Sequence, residues 1–479
     1  MAKAVMPLSL LAVGAVLEGR VDYRIVDGNL ETDALRRLDA AVSEEGVRVL
    51  GMTVMPGPQL EEAVPLTREL RRRHPHLRVV WGGYFPTMHP EVVLRSGIVD
   101  CVVRGHNDWS IYDVVRACLD GRSGADVPGV GYLSETAEPR LTPPAPLPDL
   151  ETLPDFPYAR IEMERYRRRT FMGERTLSHH SSYGCPFECN FCAVVNMVNG
   201  RYSAQSAEHA AGVAARLVGE YGADSIELYD NNFFVHESRC VEFADRIAGM
   251  EIGWWAYGRV DTMLHFAPRS WRSLRDSGLR MVFLGAETGS DDTLRRMNKG
   301  GVQTAEQAVE IAARMREFKI VPEMSFMLGN PPDPEQDTRR TMEFIRRIKR
   351  ANPDTEIVLY IYAPVPSAGD LYALAESSGF HFPSTLDEWS RTRWIEFAQH
   401  RTSQLPWLSE ALRRRVHDYQ RVLHAAFPTI TDRSLTGVRR AILRAAGMWR
   451  YHLGFYRYPI ELRVLNRLFP YQRPDTAGF

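Results

Sequence analysis

The stretch "SSYGCPFECNFCAVVNM", residues 181–197, gathers three of the chain's six cysteines, Cys185, Cys189 and Cys192. A structural zinc site takes four protein ligands, so a zinc reading has to recruit His179 or His180 from just upstream. An electron-transfer iron–sulfur cluster is normally held by four cysteines. Cys101, Cys118 and Cys240 lie in no motif that looks like the missing ligand, and they read as small buried hydrophobes. Three thiolates on a four-iron cubane leave one iron open, and an open position is where a substrate or cofactor binds. The spacing points to chemistry rather than to a structural staple.

Working outward, "LSHHSSYG" before the cysteines reads as a buried strand. "SIELYDNN", "GWWAYGRV", "MVFLGAET", "VPEMSFMLG" and "EIVLYIYAPV" follow as further strands, separated by amphipathic stretches such as "SAEHAAGVAARLVGEYG" and "TAEQAVEIAARMREFK". Six such units predict a parallel (β/α) barrel, complete or partial, with its chemistry at the C-terminal strand ends. The cysteine cluster follows the first strand, at that face.

Residues 20–135 alternate in the same way. "YRIVDG", "VRVLGMTV", "RVVWGG" and "DCVVRG" read as strands between helical stretches, which predicts a doubly wound parallel sheet. Ligands of such sheets sit beyond the C-terminal strand ends, here "TVMPGPQ" (Thr53 to Gln59) and "WGGYFPT" (Trp81 to Thr87). Gly82 and Gly83 either admit a ligand close to the backbone or simply make a tight turn. The organisation is therefore α/β: residues 1–135, a proline-rich linker over 136–165, the barrel over 166–390 and a helical region over 391–479. Residues 411–479 contain 13 Arg against Asp418, Asp432, Glu461 and Asp475, and mix the arginines with aromatics. That is a helical cap with a solvated basic face, or else a peripheral membrane contact or a grip on an anionic substrate.

Composition sets the outer bounds. A chain of 479 residues is too long for one compact core, and 44% hydrophobic with 25% charged residues is an ordinary globular balance. A net charge of −1 argues against bulk nucleic-acid binding. Six cysteines make no disulfide framework and fit a reducing cytoplasm. "LSLLAVGAVL" after Lys3 looks a little like a signal peptide but stops at Glu18-Gly19-Arg20, and reads as a buried helix. No run approaches the ~20 apolar residues that span a bilayer.

Cys185-Pro-Phe-Glu-Cys189-Asn-Phe-Cys192 resembles the signature of radical S-adenosylmethionine enzymes, with Phe191 as its aromatic. Further motifs recur in the family's order: "YDNNFF" (Tyr229 to Phe234), "GRVD" (Gly258 to Asp261), "LGAETGSDDTLRRMNKG" (Leu284 to Gly300), "FMLGNPPD" and "YAPVPSAGDLY". The N-terminal half is similar to the cobalamin-binding domain of one large subgroup, so the resemblance runs from residue 6 to about 380. It departs in two places. Such domains open with a strand ahead of the "MPLSLLAVGAVLE" helix, for which the chain supplies only "MAKAV". Without that central strand, unpaired backbone and an exposed groove are expected. The last loop reads Arg104-Gly105-His106-Asn107-Asp108 where the subgroup usually has Gly and then an acidic residue, and there is no D-x-H-x-x-G segment.

The resemblance implies a [4Fe-4S] cluster on Cys185, Cys189 and Cys192. It implies S-adenosylmethionine on the open iron, with Phe191 near the adenine and Asp230, Arg259 and Glu287 fixing polar groups. It also implies cobalamin over Thr53, Gly57, Gly82, Gly83 and Gly105. The alternative reading of Arg259 and Glu287 is a structural ion pair at a strand end. The implied activity is generation of a 5′-deoxyadenosyl radical and, with cobalamin, methyl transfer to an unactivated carbon. The rival within the class is an oxidative cyclisation or rearrangement without net methylation, as in the anaerobic ring cyclase of bacteriochlorophyll synthesis. The rival from another class is a non-catalytic corrinoid or redox sensor. The implied partners are a small-molecule or natural-product substrate, with Trp254, Trp255, Tyr257 and Tyr362 as candidate walls, and an external electron donor such as flavodoxin or ferredoxin.

Overall fold

The computed structural model describes residues 4–198, 200–299, 303–366, 369–399, 405–432, 435 and 437–468. Gly300, Ser367, Ala368 and the segment containing Asp475 lie outside the described residues.

The first sheet runs β1 (Val49–Thr53), β2 (Arg78–Gly82), β3 (Cys101–Val103), β4 (Val130–Leu133) and β5 (Pro139–Leu141), paired in that order. β1 to β3 are parallel, and β4 and β5 join antiparallel. The helix Pro58–Arg73 makes the β1–β2 crossover, with proline in its first turn and Arg71, Arg72 and Arg73 in its last, where basic side chains complement the helix dipole. The opening stretch folds as the expected buried helix, Leu8–Leu17. Two expectations are corrected. The antiparallel pair β4–β5 was not in the alternating pattern, and "YRIVDG" forms no strand. β1 is the edge of the sheet, with Gly51 exposed, and residues 21–26 do not pair with its free side. Side chains hold that segment instead: Tyr166 Oη donates to Asp27 at 2.9 Å and Tyr23 Oη to Glu18 at 2.5 Å. A groove of about 790 Å³ lies beside it, lined by Tyr23, Arg24, Asp33, Arg36, Arg37 and Arg160 among others.

The second sheet begins with β6 (Thr176–His179). A short antiparallel ribbon of β7 (Ser182–Gly184) and β8 (Tyr202–Ala204) follows. The sheet continues with β9 (Ser225–Leu228), β10 (Gly253–Gly258), β11 (Leu279–Glu287), β12 (Val321–Leu328) and β13 (Glu356–Ile361). Its order is β13-β12-β11-β10-β9-β6, all parallel, and the two outer strands are not paired with each other. The barrel is therefore partial. "LSHHSSYG" is two strands rather than one, because Ser181 and Ser182 turn away to bond the Asp230 carboxylate. The outer helices start on side-chain caps, Ser206, Thr304 and Asp333, each accepting a backbone N–H of its first turn.

After β13 the chain folds back over the first sheet. Phe380, Trp389, Trp394 and Phe397 join the core formed by Leu60, Trp81 and Phe85, and the Trp389 ring meets Phe85 edge-on at 5.2 Å. The helices Glu410–Ala426, Gly437–Leu453 and Ile460–Leu468 pack on the barrel's outer layer, where Tyr419 Oη donates to the Met342 carbonyl at 3.2 Å. Among the described residues no helix is long and apolar enough to cross a membrane.

Candidate functional site

The cysteine loop leaves β7 at Gly184, whose φ of +77° and contact with the Arg201 carbonyl leave no room for a side chain. Cys185 N–H donates to Arg201 O at 3.1 Å and Cys192 N–H to Cys189 O at 3.0 Å. The loop is tied to the segment after β11 by Asn190 N–H to Met297 O (3.0 Å) and Asn298 Nδ2 to Glu188 O (2.8 Å). Beneath it Asp230 is fully buried, and both of its oxygens are engaged: by Ser181 N–H and Oγ at 2.6 Å and by Ser182 Oγ at 2.7 Å. Burial raises the Cys185 thiol and pushes Cys192 up to about 12. At neutral pH the ionised ligand forms there only when a cation shares it.

Arg259, at the end of β10, is buried and bidentate on Asp261 (3.0 and 2.7 Å), and its Nη1 lies 3.2 Å from Cys189 Sγ. Its guanidinium covers the Phe187 ring at 3.8 Å. Glu287, at the end of β11, holds φ +67° and pairs with Lys299, a partner that the strand motifs did not single out. Burial lowers the Lys299 ammonium, but Glu287 and Cys189 outweigh it and hold the group above its ordinary value. Lys299 Nζ lies 5.4 Å over the Phe191 ring, and Phe191 packs with Met297, Tyr362 and Leu371. Arg259 and Glu287 are thus each ion-paired, but with Asp261 and Lys299 rather than with each other.

The residues fit the implied cluster and S-adenosylmethionine. Asn232 Nδ2 lies 3.9 Å from Cys185 Sγ while its Oδ1 is buried without a partner, as is Gln303 Oε1 beside β11. Such orphans are costly unless something bonds them. Among the described residues no three Cys, His, Asp or Glu side chains converge on one ion position. The zinc alternative loses His179, whose ring nitrogens are taken up by Tyr158 Oη and Gln205 Oε1, each at 3.1 Å.

Thr53, Gly57, Gly82, Gly83 and Gly105 all stand at the C-terminal ends of β1, β2 and β3. Gly83 (φ +90°) would place a Cβ 2.8 Å from Thr53 Oγ1, and Gly105 (φ +75°) would place one 2.7 Å from the Met197 carbonyl in the helix after Cys192. Tyr84 is half-buried, and its phenol is held well above the ordinary value, by desolvation first and by Cys192 second. These loops therefore pack directly onto the cysteine loop. Beside them His106 stacks on Tyr183 at 4.5 Å, and burial lowers it to about 4. Burial lifts Asp108 to about 6. His106 Nε2 and Asp108 Oδ2 are buried without hydrogen-bond partners, polar atoms suited to the amide side chains of a corrinoid.

Of the candidate walls, Trp254 is excluded. It packs outward against Phe233 and Phe243 and donates to Ser277 Oγ at 3.1 Å. Trp255 and Tyr257 are joined edge-on at 4.6 Å, with Tyr229 and Phe283 beside them. Trp255 Nε1 donates to Glu323 at 3.2 Å, and Arg168 pairs with the buried Glu227. Burial, then Glu356, pushes Glu323 up to about 8.

Comparison with known proteins matches residues 2–110 to the B12 binding domain and residues 180–345 to the Radical SAM superfamily. An uncharacterized methyltransferase of Pyrococcus horikoshii, PH0819, is 25% identical over 346 residues, 71% of this chain and 73% of the relative. The anaerobic magnesium-protoporphyrin IX monomethyl ester cyclase of Rubrivivax gelatinosus is 26% identical over 348 residues, 70% of this chain and 60% of the relative. The fold is shared with the radical S-adenosylmethionine methyltransferase TsrM of Kitasatospora setae, at TM-score 0.67 and 17% identity, over 97% of this chain and 96% of that one. With a B12 binding domain and a radical SAM domain facing each other across the cysteine loop, the chain belongs to the cobalamin-dependent radical S-adenosylmethionine enzymes.

Proposed function

We propose that this enzyme methylates an unactivated carbon of a small molecule at the junction of its two domains. The observation that carries the reading is the direct packing of the first sheet's loops on the cysteine loop, with Gly105 against Met197 and Met88 Sδ accepting from Asn196 Nδ2 at 3.7 Å. A methyl donor and a hydrogen-abstracting centre must reach the same carbon, and this packing brings their binding regions together. When bound, the [4Fe-4S] cluster and S-adenosylmethionine supply hydrogen abstraction and cobalamin supplies the methyl group.

The chain's own residues hold, orient and seal. Cys185, Cys189 and Cys192 are the cluster ligands. Arg259 stabilises the anionic sulfur of Cys189 through its 3.2 Å contact and is itself aimed by Asp261. Asp230, its oxygens taken up by serines, fixes the loop rather than touching a cofactor. Asn232, Glu287 and Lys299 are the polar groups left for the methionine and ribose ends of S-adenosylmethionine, and Phe191 the surface for its adenine. Thr53, Gly57, Gly82, Gly83 and Gly105 form the bed of the corrinoid, with His106 and Asp108 on its amides. Trp255 and Tyr257 offer an aromatic wall to a flat or apolar substrate. Electrons come from an external donor of the flavodoxin or ferredoxin kind.

The similarity to the anaerobic cyclase favours a second reading, an oxidative cyclisation with the same abstraction and no methyl transfer. Anaerobically reconstituted enzyme, a reductant, methyl-labelled S-adenosylmethionine and a small-molecule extract separate the two. Label in a new product supports methylation, and an unlabelled product two hydrogens lighter supports cyclisation. Absence of S-adenosylmethionine cleavage would leave only a sensor.

A further inference from the structure

Of the eleven large hydrophobic side chains that the described residues leave exposed, nine lie between Val438 and Leu468. They are not scattered. In the helix Gly437–Leu453 the buried positions Leu443, Gly447 and Tyr451 recur every four residues and form the packing face, with Gly447 pressed against the backbone of Ala425 and Ala426. Val438, Ile442, Trp449 and Leu453, at i, i+4, i+11 and i+15, fall on one stripe of the opposite side. Leu453 is 75% exposed and Val438 74%. The helix Ile460–Leu468 repeats the arrangement: Leu462 is buried, while Ile460, Val464 and Leu468 make an outward stripe and Ile460 is 63% exposed. Phe455 and Tyr458, on the connecting turn, are also exposed. A helix with an ordinary surface turns polar residues outward once its apolar stripe is buried; these two keep a second apolar stripe for something else.

The charge on the same segment says what. Residues 437–468 contain seven Arg and a single acidic residue, Glu461. Glu461 is consumed by the buried Arg450, in a pair that includes a 2.9 Å contact, and Asp418 of the neighbouring helix takes Arg463 at 3.1 Å, so the segment's positive excess is carried by the other five arginines. A second copy of the chain docking here would set arginines against arginines. An anionic bilayer answers both features, since its headgroups match the arginines and its acyl boundary takes the apolar and aromatic stripe. We propose that the paired helices Gly437–Leu453 and Ile460–Leu468 are an interfacial membrane-docking surface for anionic lipid. The proposal rests on no cofactor and holds or fails separately from the reaction.

The test is co-sedimentation of the full chain with phosphatidylcholine vesicles containing roughly one-third phosphatidylglycerol, against phosphatidylcholine alone. Binding should be at least about tenfold stronger to the anionic vesicles and should weaken as salt is raised to roughly 0.5 M. The double variant Leu453→Glu, Ile460→Glu should lose at least about tenfold in binding. Both side chains are more than half exposed, so its melting temperature should match the native chain, and that match shows that the loss is not unfolding. Failure of the native chain to bind anionic vesicles overturns the proposal. Binding that the double variant keeps overturns it as well. A native dimer that the double variant turns into a monomer would assign the surface to a second copy instead.

Discussion

Lys299→Met strands the Glu287 carboxylate. Both side chains are under a tenth exposed, at 7% for Lys299 and 6% for Glu287. Removing one partner of a buried ion pair costs about 3–5 kcal/mol. The loss has a ceiling, because a stranded carboxylate can take up a proton, and at pH 7.5 that costs an ordinary carboxyl about 4.4 kcal/mol. The expected destabilisation at pH 7.5 is therefore about 3–4 kcal/mol. Its sign with pH follows: the variant's folded state prefers a protonated carboxyl, so its deficit shrinks as pH falls, by up to about 1.4 kcal/mol per unit. Glu287→Gln added to Lys299→Met removes the stranded charge and should recover most of the loss. Gly285→Ala attacks the pair differently, because its Cβ would run into Glu287 Oε1 and Lys299 Nζ. Urea unfolding under anaerobic conditions at pH 5.5 and 7.5 reads all three variants. A Lys299→Met loss below about 1 kcal/mol, equal at the two pH values, would refute the reasoning. Glu287 would then have its charge met by solvent, and Lys299 would have no claim to hold it.

Glu323, held at about 8 in the fold by burial, then Glu356, keeps its proton better folded than unfolded. Its contribution to stability is therefore present at low pH and fades as pH rises from about 4.5 through 8. Glu323→Gln should flatten that decline, sparing about 3 kcal/mol between pH 5 and pH 8 in chemical denaturation; a parallel pH profile for the two proteins would contradict it. Gly105→Ala should cost more than Gly121→Ala. Both glycines have φ near +75°, but the new Cβ meets the Met197 carbonyl at position 105 and nothing within 4 Å at position 121. The excess, about 1–3 kcal/mol, should appear in thermal melts and measures the contact between corrinoid loop and cluster loop. Cys189→Ala should abolish cluster iron while corrin content after reconstitution survives, and Cys240→Ala should leave iron unchanged, since Cys240 is buried against Phe233 O. Iron retained by Cys189→Ala would remove that residue from the ligand set.

Much of this was legible in the chain because the signals were local. The barrel strands announce themselves as short apolar runs between amphipathic stretches, and the cysteine spacing is a property of eight consecutive residues. What failed to show was set by neighbours distant in sequence. "YRIVDG" has the composition of a strand, but its segment leaves the free edge of β1 unpaired and is held by side chains, Tyr166 on Asp27 and Tyr23 on Glu18. "GVGYL" pairs antiparallel with β3 because its Val130 and Tyr132 find Val103 and Cys101, which no alternating pattern announces. Trp254 and Trp255 look alike in sequence, yet one faces the outer helices and the other Glu323, as successive strand residues must.

Lys299 and Tyr84 illustrate a further limit. Both lie inside stretches that the motifs picked out, yet a motif names one position and leaves silent the residue that completes it. Glu287 without Lys299 would be a buried anion. The two domains could have been joined by the linker alone, with their sites apart. Instead the Met197 carbonyl leaves Gly105 no room for a side chain, and Asn196 Nδ2 donates to Met88 Sδ at 3.7 Å. A glycine with no room for a side chain marks close packing, which limits the space left to solvent at the junction. Excluding solvent is what a reaction begun by hydrogen abstraction requires, since any unsealed path exposes the reactive centre to quenching.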